Sequence, residues 1–174
     1  MTNAPIEFCI HTPEQLQGLA ELRPVRRRPG VAQPRPLDYH QLQELFRLTA
    51  FWAQDRSLAD LQRAIARSEP VVTAWTGQRL VGFARATSDG VYRATIWDVI
   101  VHPDFQGSGI GRKLVETVLS HPVVCHAERV YLMTTHKQSF YERVGFVVND
   151  TTTMVLHNCP LAQLPTAVTL EAAN

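Results

Sequence analysis

The chain has 174 residues, 45% of them apolar, and a formal net charge of +1. That size and apolar content fit one globular domain with a real core rather than a disordered chain. The near-neutral charge argues against nucleic acid as a partner, although Arg26, Arg27 and Arg28 cluster locally. Cys9, Cys125 and Cys159 form no C-x-x-C pair, and the seven histidines show no metal-ligand spacing. No apolar run approaches a membrane span, and no secretory signal opens the chain, so a reduced, cytoplasmic setting without metal or membrane is expected.

Ile6 to Ile10 reads as a short strand, and Glu14 to Leu22 has weak helical periodicity. Arg23 to Pro36 then carries four prolines and five arginines, too much proline for helix or sheet interior. Residues 1–36 are therefore expected to be an N-terminal extension ending in a linker, 37–158 the main domain, and 159–174 a tail. Leu37 to Trp52 places Leu42, Leu45, Phe46 and Thr49 on one helical face; Phe46, Phe51 and Trp52 read first as core. Ser57 with Asp60 resembles a capping box for a second helix with Leu58, Leu61 and Ile65 as its stripe, ended by Ser68-Glu69-Pro70. Val71 to Trp75 and Leu80 to Ala86 form a hairpin around Gly77, and Ser88-Asp89-Gly90 turns into a further strand, Ala94 to Val101. Later come a helix ended by His121-Pro122, a strand over Arg129 to Met133, a helix over His136 to Val144 capped by Thr135 and ended by Gly145, and last strands over Phe146 to Val148 and Thr152 to Leu156.

The most informative stretch is Trp97 to Val115. A β-branched apolar run stops at Pro103; glycines follow at 107, 109 and 111; and Leu114, Val115, Val118 and Leu119 recur at helical spacing. Strand, glycine loop and helix N-terminus bring free N–H groups and the positive end of a helix dipole to one point, a site for an anion such as phosphate. A P-loop is excluded because Gly111 is followed by Arg112, Lys113 and Leu114, with no hydroxyl for magnesium. A dinucleotide turn fits poorly: counting from Gly107, its third glycine position is Arg112, and His102 to Gln106 separate strand from loop.

Gln106-x-x-Gly109-x-Gly111 after Val101-His102-Pro103 resembles the acetyl-CoA motif of the GCN5-related N-acetyltransferases, the GNAT family. Phe140-Tyr141-Glu142-Arg143-Val144-Gly145-Phe146 resembles a second, later motif of that family. Within it, Gly82 to Asp89 followed by Ala94 to Val99 looks like the plant-plastid and cyanobacterial branch, whose members are described as serotonin (arylalkylamine) N-acetyltransferases and, in plastids, as protein acetyltransferases. The resemblance spans about residues 38–158. It implies an α/β (α+β) GNAT fold: a mixed, mostly antiparallel sheet of about six or seven strands, flanked by about four helices and splayed between the fourth and fifth strands. It also implies acetyl-CoA as co-substrate, held at its pyrophosphate by the backbone of Gln106, Gly107, Ser108, Gly109, Ile110, Gly111 and Arg112. The pantetheine arm would pair with Val99, Ile100 and Val101. Homodimers are common in the family.

The chemistry adds further expectations. An amine of pKa about 10 must lose a proton before it attacks a thioester. Asp98, a carboxylate in an apolar strand, is the first candidate base, with a hydrogen-bonded structural acid as the alternative; His102 is the second candidate. Tyr141 matches the family's proton donor to the departing thiolate and also lies against the cofactor. Arg112 either adds charge at the phosphates or is a solvated first-turn arginine. Trp97 flanks Asp98 and is either an aromatic wall for the acceptor or core. Many relatives carry asparagine seven residues before the tyrosine; here Thr134 stands there, and no role is assigned to it. The function implied is acetyl transfer to a primary amine, an arylalkylamine such as serotonin or tryptamine. The alternatives are a protein lysine or N-terminal acetyltransferase, and a non-catalytic acyl-CoA-binding module.

Overall fold

The computed structural model describes residues 4–16, 35–151 and 153–155. Most of the proline-arginine linker, the continuation of the first helical pattern to Leu22, and the tail beyond 155 lie outside the described residues. Five strands form one open sheet in sequence order: β1 (Ile6–His11), β2 (Val71–Thr76), β3 (Arg79–Ser88), β4 (Arg93–Val101) and β5 (Arg129–Tyr131). All neighbours are antiparallel except β4 and β5, which run parallel. β1 pairs along the whole of β2, so this part of the N-terminal extension is an edge strand of the sheet. Thr76 opposes Arg79 across a two-residue turn in which Gly77 takes φ 56°, the positive φ that such turns require.

The helices are α1 (Pro13–Leu16), α2 (Tyr39–Thr49), α3 (Leu58–Ile65), α4 (Ile110–Leu119), α5 (Pro122–Cys125) and α6 (Gln138–Glu142), with a 3-10 turn at Pro103–Phe105. Local chemistry fixes their ends. Asp38 caps α2 by accepting from the amides of His40 and Gln41. Ser57 caps α3 by accepting from Asp60 N at 3.1 Å, and its hydroxyl donates to the Asp60 carboxylate at 2.7 Å, so the predicted N-cap forms, with Asp60 returning a bond to the Ser57 hydroxyl and not to its amide. On one sheet face Leu42, Leu45, Phe46, Leu61 and Ile65 pack against Val71, Trp75, Leu80 and Phe83; on the other Ile110, Leu114, Val115 and Val118 pack against Val72, Ala74, Ala84, Ala86 and Ile96. Among the described residues no helix is long and apolar enough to cross a membrane.

Three expectations are corrected. The sheet has five strands among the described residues, where six or seven were expected. Phe146 to Val148 is irregular and Val147 is 87% exposed; Thr153 to Val155 is likewise irregular and Met154 is 90% exposed. β propensity makes a strand only where a neighbour supplies the ladder, and these residues pair with none. α6 is shorter than predicted at both ends: it starts from Lys137, not Thr135, and stops at Glu142 with Arg143 as its C-cap; the turn that follows reaches Gly145 (φ 106°), where Phe146 N bonds back to Tyr141 O at 3.1 Å.

Candidate active site

β5 pairs with β4 at only three positions, Arg93–Arg129, Ala94–Val130 and Thr95–Tyr131. Beyond Thr95 the two strands part. The gap opens into a cavity of about 700 Å³ between Ile96–Val101 on one wall and Leu132–Lys137 with Tyr141 on the other; the segment after α2 contributes Phe51, Trp52 and Arg56. Along this stretch no strand among the described residues lies on the side of β4 turned away from β3, so its polar backbone borders the cavity. The predicted splay between the fourth and fifth strands is therefore present.

The glycine loop closes the end of β4. Gln106 lines the cavity, and its side-chain amide donates to Val101 O at 3.0 Å. Gly107 and Gly109 take φ 78° and 86°, and a Cβ on either would meet no atom within 4 Å. None of the amide N–H groups from Gly107 to Arg112 has an acceptor among the described residues, and α4 begins here. Unpaired amides at the start of a ten-residue helix fit the pyrophosphate of a nucleotide-bearing substrate. Ser108 turns its hydroxyl back to Phe105 O. Ile110 is buried under the sheet, and Gly111 faces Phe140 and Val101. Arg112 is directed down the helix to Glu116, at 2.7 Å.

Trp97, Asp98, Val99, Ile100, Val101, Gln106 and Tyr141 line one cavity; Gly107 to Arg112 lie beside it, and His102 is not among its lining residues. Asp98 Oδ2 accepts from Arg85 Nε at 2.7 Å and from Arg56 Nη1 at 3.1 Å, and its side chain is 4% exposed. Two arginines from different elements thus converge on one oxygen of a buried carboxylate. Trp97 donates its indole N–H to Thr87 at 2.9 Å, which fixes the ring. His102 lies 2.8 Å from Arg79 through Nε2, and its Nδ1 accepts from Asp104 N. Tyr141 packs edge-on against Phe140 and Phe146, and burial pushes its hydroxyl above the ordinary tyrosine range, so it is protonated at neutral pH. The hydroxyl has no hydrogen-bond partner among the described residues. Thr134 also lines the cavity and accepts from Lys137 N at 3.2 Å.

Sequence reasoning missed Arg56 and Arg85, whose importance depends on a carboxylate 42 and 13 residues away. It also placed Phe51 and Trp52 in the core. Of those aromatics Phe46 is core, but Phe51 is 66% and Trp52 52% exposed, stacked edge-to-face at 5.0 Å. α2 ends at Thr49, so the apolar stripe stops before them; that was the available signal.

Residues 39–146, more than half of the chain, match the family model described as the acetyltransferase (GNAT) family. The chain is 36% identical over 122 residues to the uncharacterized N-acetyltransferase ycf52-like of Prochlorococcus marinus, covering 67% of each chain. It is 44% identical over 70 residues to the uncharacterized N-acetyltransferase ycf52 of Porphyra purpurea. That match spans 40% of either chain. Among solved structures, a GNAT-family protein of Xanthomonas campestris pv. campestris superposes with a TM-score of 0.64 at 26% identity, over 88% of this chain and 95% of that one. The chain belongs to the GNAT acetyltransferase family.

Proposed function

From that membership we propose that the protein transfers the acetyl group of acetyl-CoA to the primary amine of an arylalkylamine. The free amides of Gly107 to Arg112, with Gln106, hold the pyrophosphate of acetyl-CoA through fixed dipoles. The unpaired side of β4 from Val99 to Val101 pairs with the amides of the pantetheine arm, and an N–H there stabilises the oxyanion that forms at the thioester carbonyl. The amine enters between Phe51, Trp52 and Trp97. Its neutral form, the minor one at pH 7, forms the C–N bond, and the tetrahedral intermediate expels the CoA thiolate as the C–S bond breaks. Tyr141 gives that thiolate its proton; the proton lost by the amine balances it. What supports this reading most is that one cavity combines an unpaired strand edge, an unpartnered Tyr141 hydroxyl and three aromatic side chains. Cys9 and Cys125 are free thiols, in keeping with a reduced compartment such as the cytoplasm.

The test is release of free CoA from acetyl-CoA, with serotonin, tryptamine, a polyamine and a lysine peptide each as acceptor. Aromatic amines are expected to turn over fastest. Turnover on the peptide alone would move the acceptor to protein lysines, and tight acetyl-CoA binding without turnover would make this a binding module. Tyr141→Phe is expected to lower kcat by about 100-fold or more while acetyl-CoA affinity, read by calorimetry, stays within about twofold. Equal loss of both would make Tyr141 structural.

A further inference from the structure

We propose that Arg56, Asp98 and Arg85 form a positioning clamp that holds the β4 bulge and, through it, sets the acceptor-side segment bearing Phe51 and Trp52 over the cavity. The kinetic part of this proposal rests on the acetyl-transfer reading. Asp98 has φ 53°, and among the described residues no other non-glycine residue has positive φ. A side chain disfavours that conformation, least so for aspartate and asparagine. Register explains why the chain adopts it here. From Phe83 to Arg85 on β3 is two residues, whereas the opposing stretch from Ile100 to Trp97 on β4 is three. β4 therefore carries one extra residue at this point, a bulge that re-aims everything after it.

A bulge beside an unpaired strand edge needs something to hold it, and both arginines do so. Arg85, across on β3, reaches Asp98 Oδ2 with Nε and Ser68 Oγ with Nη1 at 3.1 Å; Ser68 in turn donates to Ala64 O at 2.8 Å. The bulge is thereby tied to the end of α3. Arg56 comes from the segment between α2 and α3. Its carbonyl accepts from Gln43 on α2 at 3.0 Å, and its guanidinium lies 5.2 Å from the centre of the Phe46 ring. Only a few residues separate it from Phe51 and Trp52. The position of the aromatic pair is thus linked to the conformation of the strand that would carry the thioester. Both guanidinium groups bond the same carboxylate oxygen, Oδ2, so Asp98 joins β3 to the segment after α2 by two charge-assisted hydrogen bonds.

The experiment compares wild type, Arg56→Gln, Asp98→Asn and the double variant. Arg56→Gln should raise KM for tryptamine about tenfold and lower kcat less than KM rises, with acetyl-CoA affinity within about twofold. Asp98→Asn should lower kcat/KM about 100-fold yet leave the limbs of its pH profile where wild type has them, and the double variant should be no worse than Asp98→Asn alone. Disappearance of a limb in Asp98→Asn, or losses that multiply in the double variant, would overturn the clamp. Amide hydrogen exchange gives an arm that needs no turnover. In Arg56→Gln, residues 50–57 and 97–101 should both exchange faster, whereas acceleration confined to 50–57 would overturn the proposal. Linked exchange in a protein that acetylates none of the amines would leave the clamp standing and remove the acetyl-transfer reading instead.

Discussion

Toward α2 and α3 the sheet presents Val71, Trp75, Leu80 and Phe83; toward α4 it presents Val72, Val81 and Ile96 interspersed with the small residues Ala74, Gly82, Ala84, Ala86 and Ala94. The first face meets its helices with both aromatic and aliphatic side chains, Trp75 and Phe83 among them. The second is cut back so that α4 can lie close: a Cβ on Gly82 would stand 3.0 Å from Leu114 Cδ1 and 3.1 Å from Ile110 Cγ2. That close approach sets the start of α4, and with it the glycine loop, at the end of β4. One face thus packs on large rings and branched side chains, while the other gives up side-chain volume at several positions and so brings backbone amides into place. The faces also differ in polarity. Among the described residues the first contains a buried histidine, His11, whose Nε2 lies 2.8 Å from the Thr73 hydroxyl that also accepts the Trp75 indole N–H.

Breaking the first face should cost stability and little else. Phe46→Ala removes a fully buried ring in contact with Phe83 and should lower unfolding free energy by about 4 kcal/mol, read by urea denaturation. Acetyl-CoA affinity of the folded fraction should hardly change; a tenfold loss would show that the faces are not separable. His11 offers a pH probe of the same face. Burial pushes its pKa down to about 4, so between about 6.5 and 4 the unfolded chain takes up a proton that the folded chain refuses. Stability should fall as pH drops through that window, by at most about 3 kcal/mol from this group, and His11→Gln should flatten that part of the profile.

The other face should respond in the opposite way. Gly82→Val, by overpacking, should destabilise by about 2 kcal/mol but weaken acetyl-CoA binding more than tenfold, because α4 must move. Unchanged binding would show that the loop does not depend on how closely α4 sits. The smallest effect is expected at Ser57→Ala, about 1 kcal/mol from the lost cap, with a modest rise in KM for the amine if α3 frays toward Arg56.

Much of this architecture was legible in the chain because its signals are local. Ser57 and Asp60, the Gly77 turn, and the run from Val99 through Gly109 to Leu114 each specify a boundary within a few residues. Asp98 was also visible as the one acid in an apolar strand. Its partners were not, since a guanidinium on β3 and another after α2 meet it only once the sheet and helices are assembled. Nor does a left-handed aspartate leave a trace that glycine would have left. The strands expected at Phe146–Val148 and Thr152–Leu156 show the reverse error: residue preference was present, but β5 is three residues long and the described residues of those segments, 146–148 and 153–155, are irregular.

The extra residue in β4 also divides that strand into two phases. Ahead of it, even-numbered Ala94 and Ile96 join the cluster beneath α4; past it, odd-numbered Val99 and Val101 do so, and even-numbered Ile100 joins the opposite cluster. Inside and outside therefore exchange parity midway along a nine-residue strand. An alternation counted forward from Arg93 and one counted backward from Val101 would assign opposite faces to the same residue, and only a chain with one residue in surplus near position 98 satisfies both.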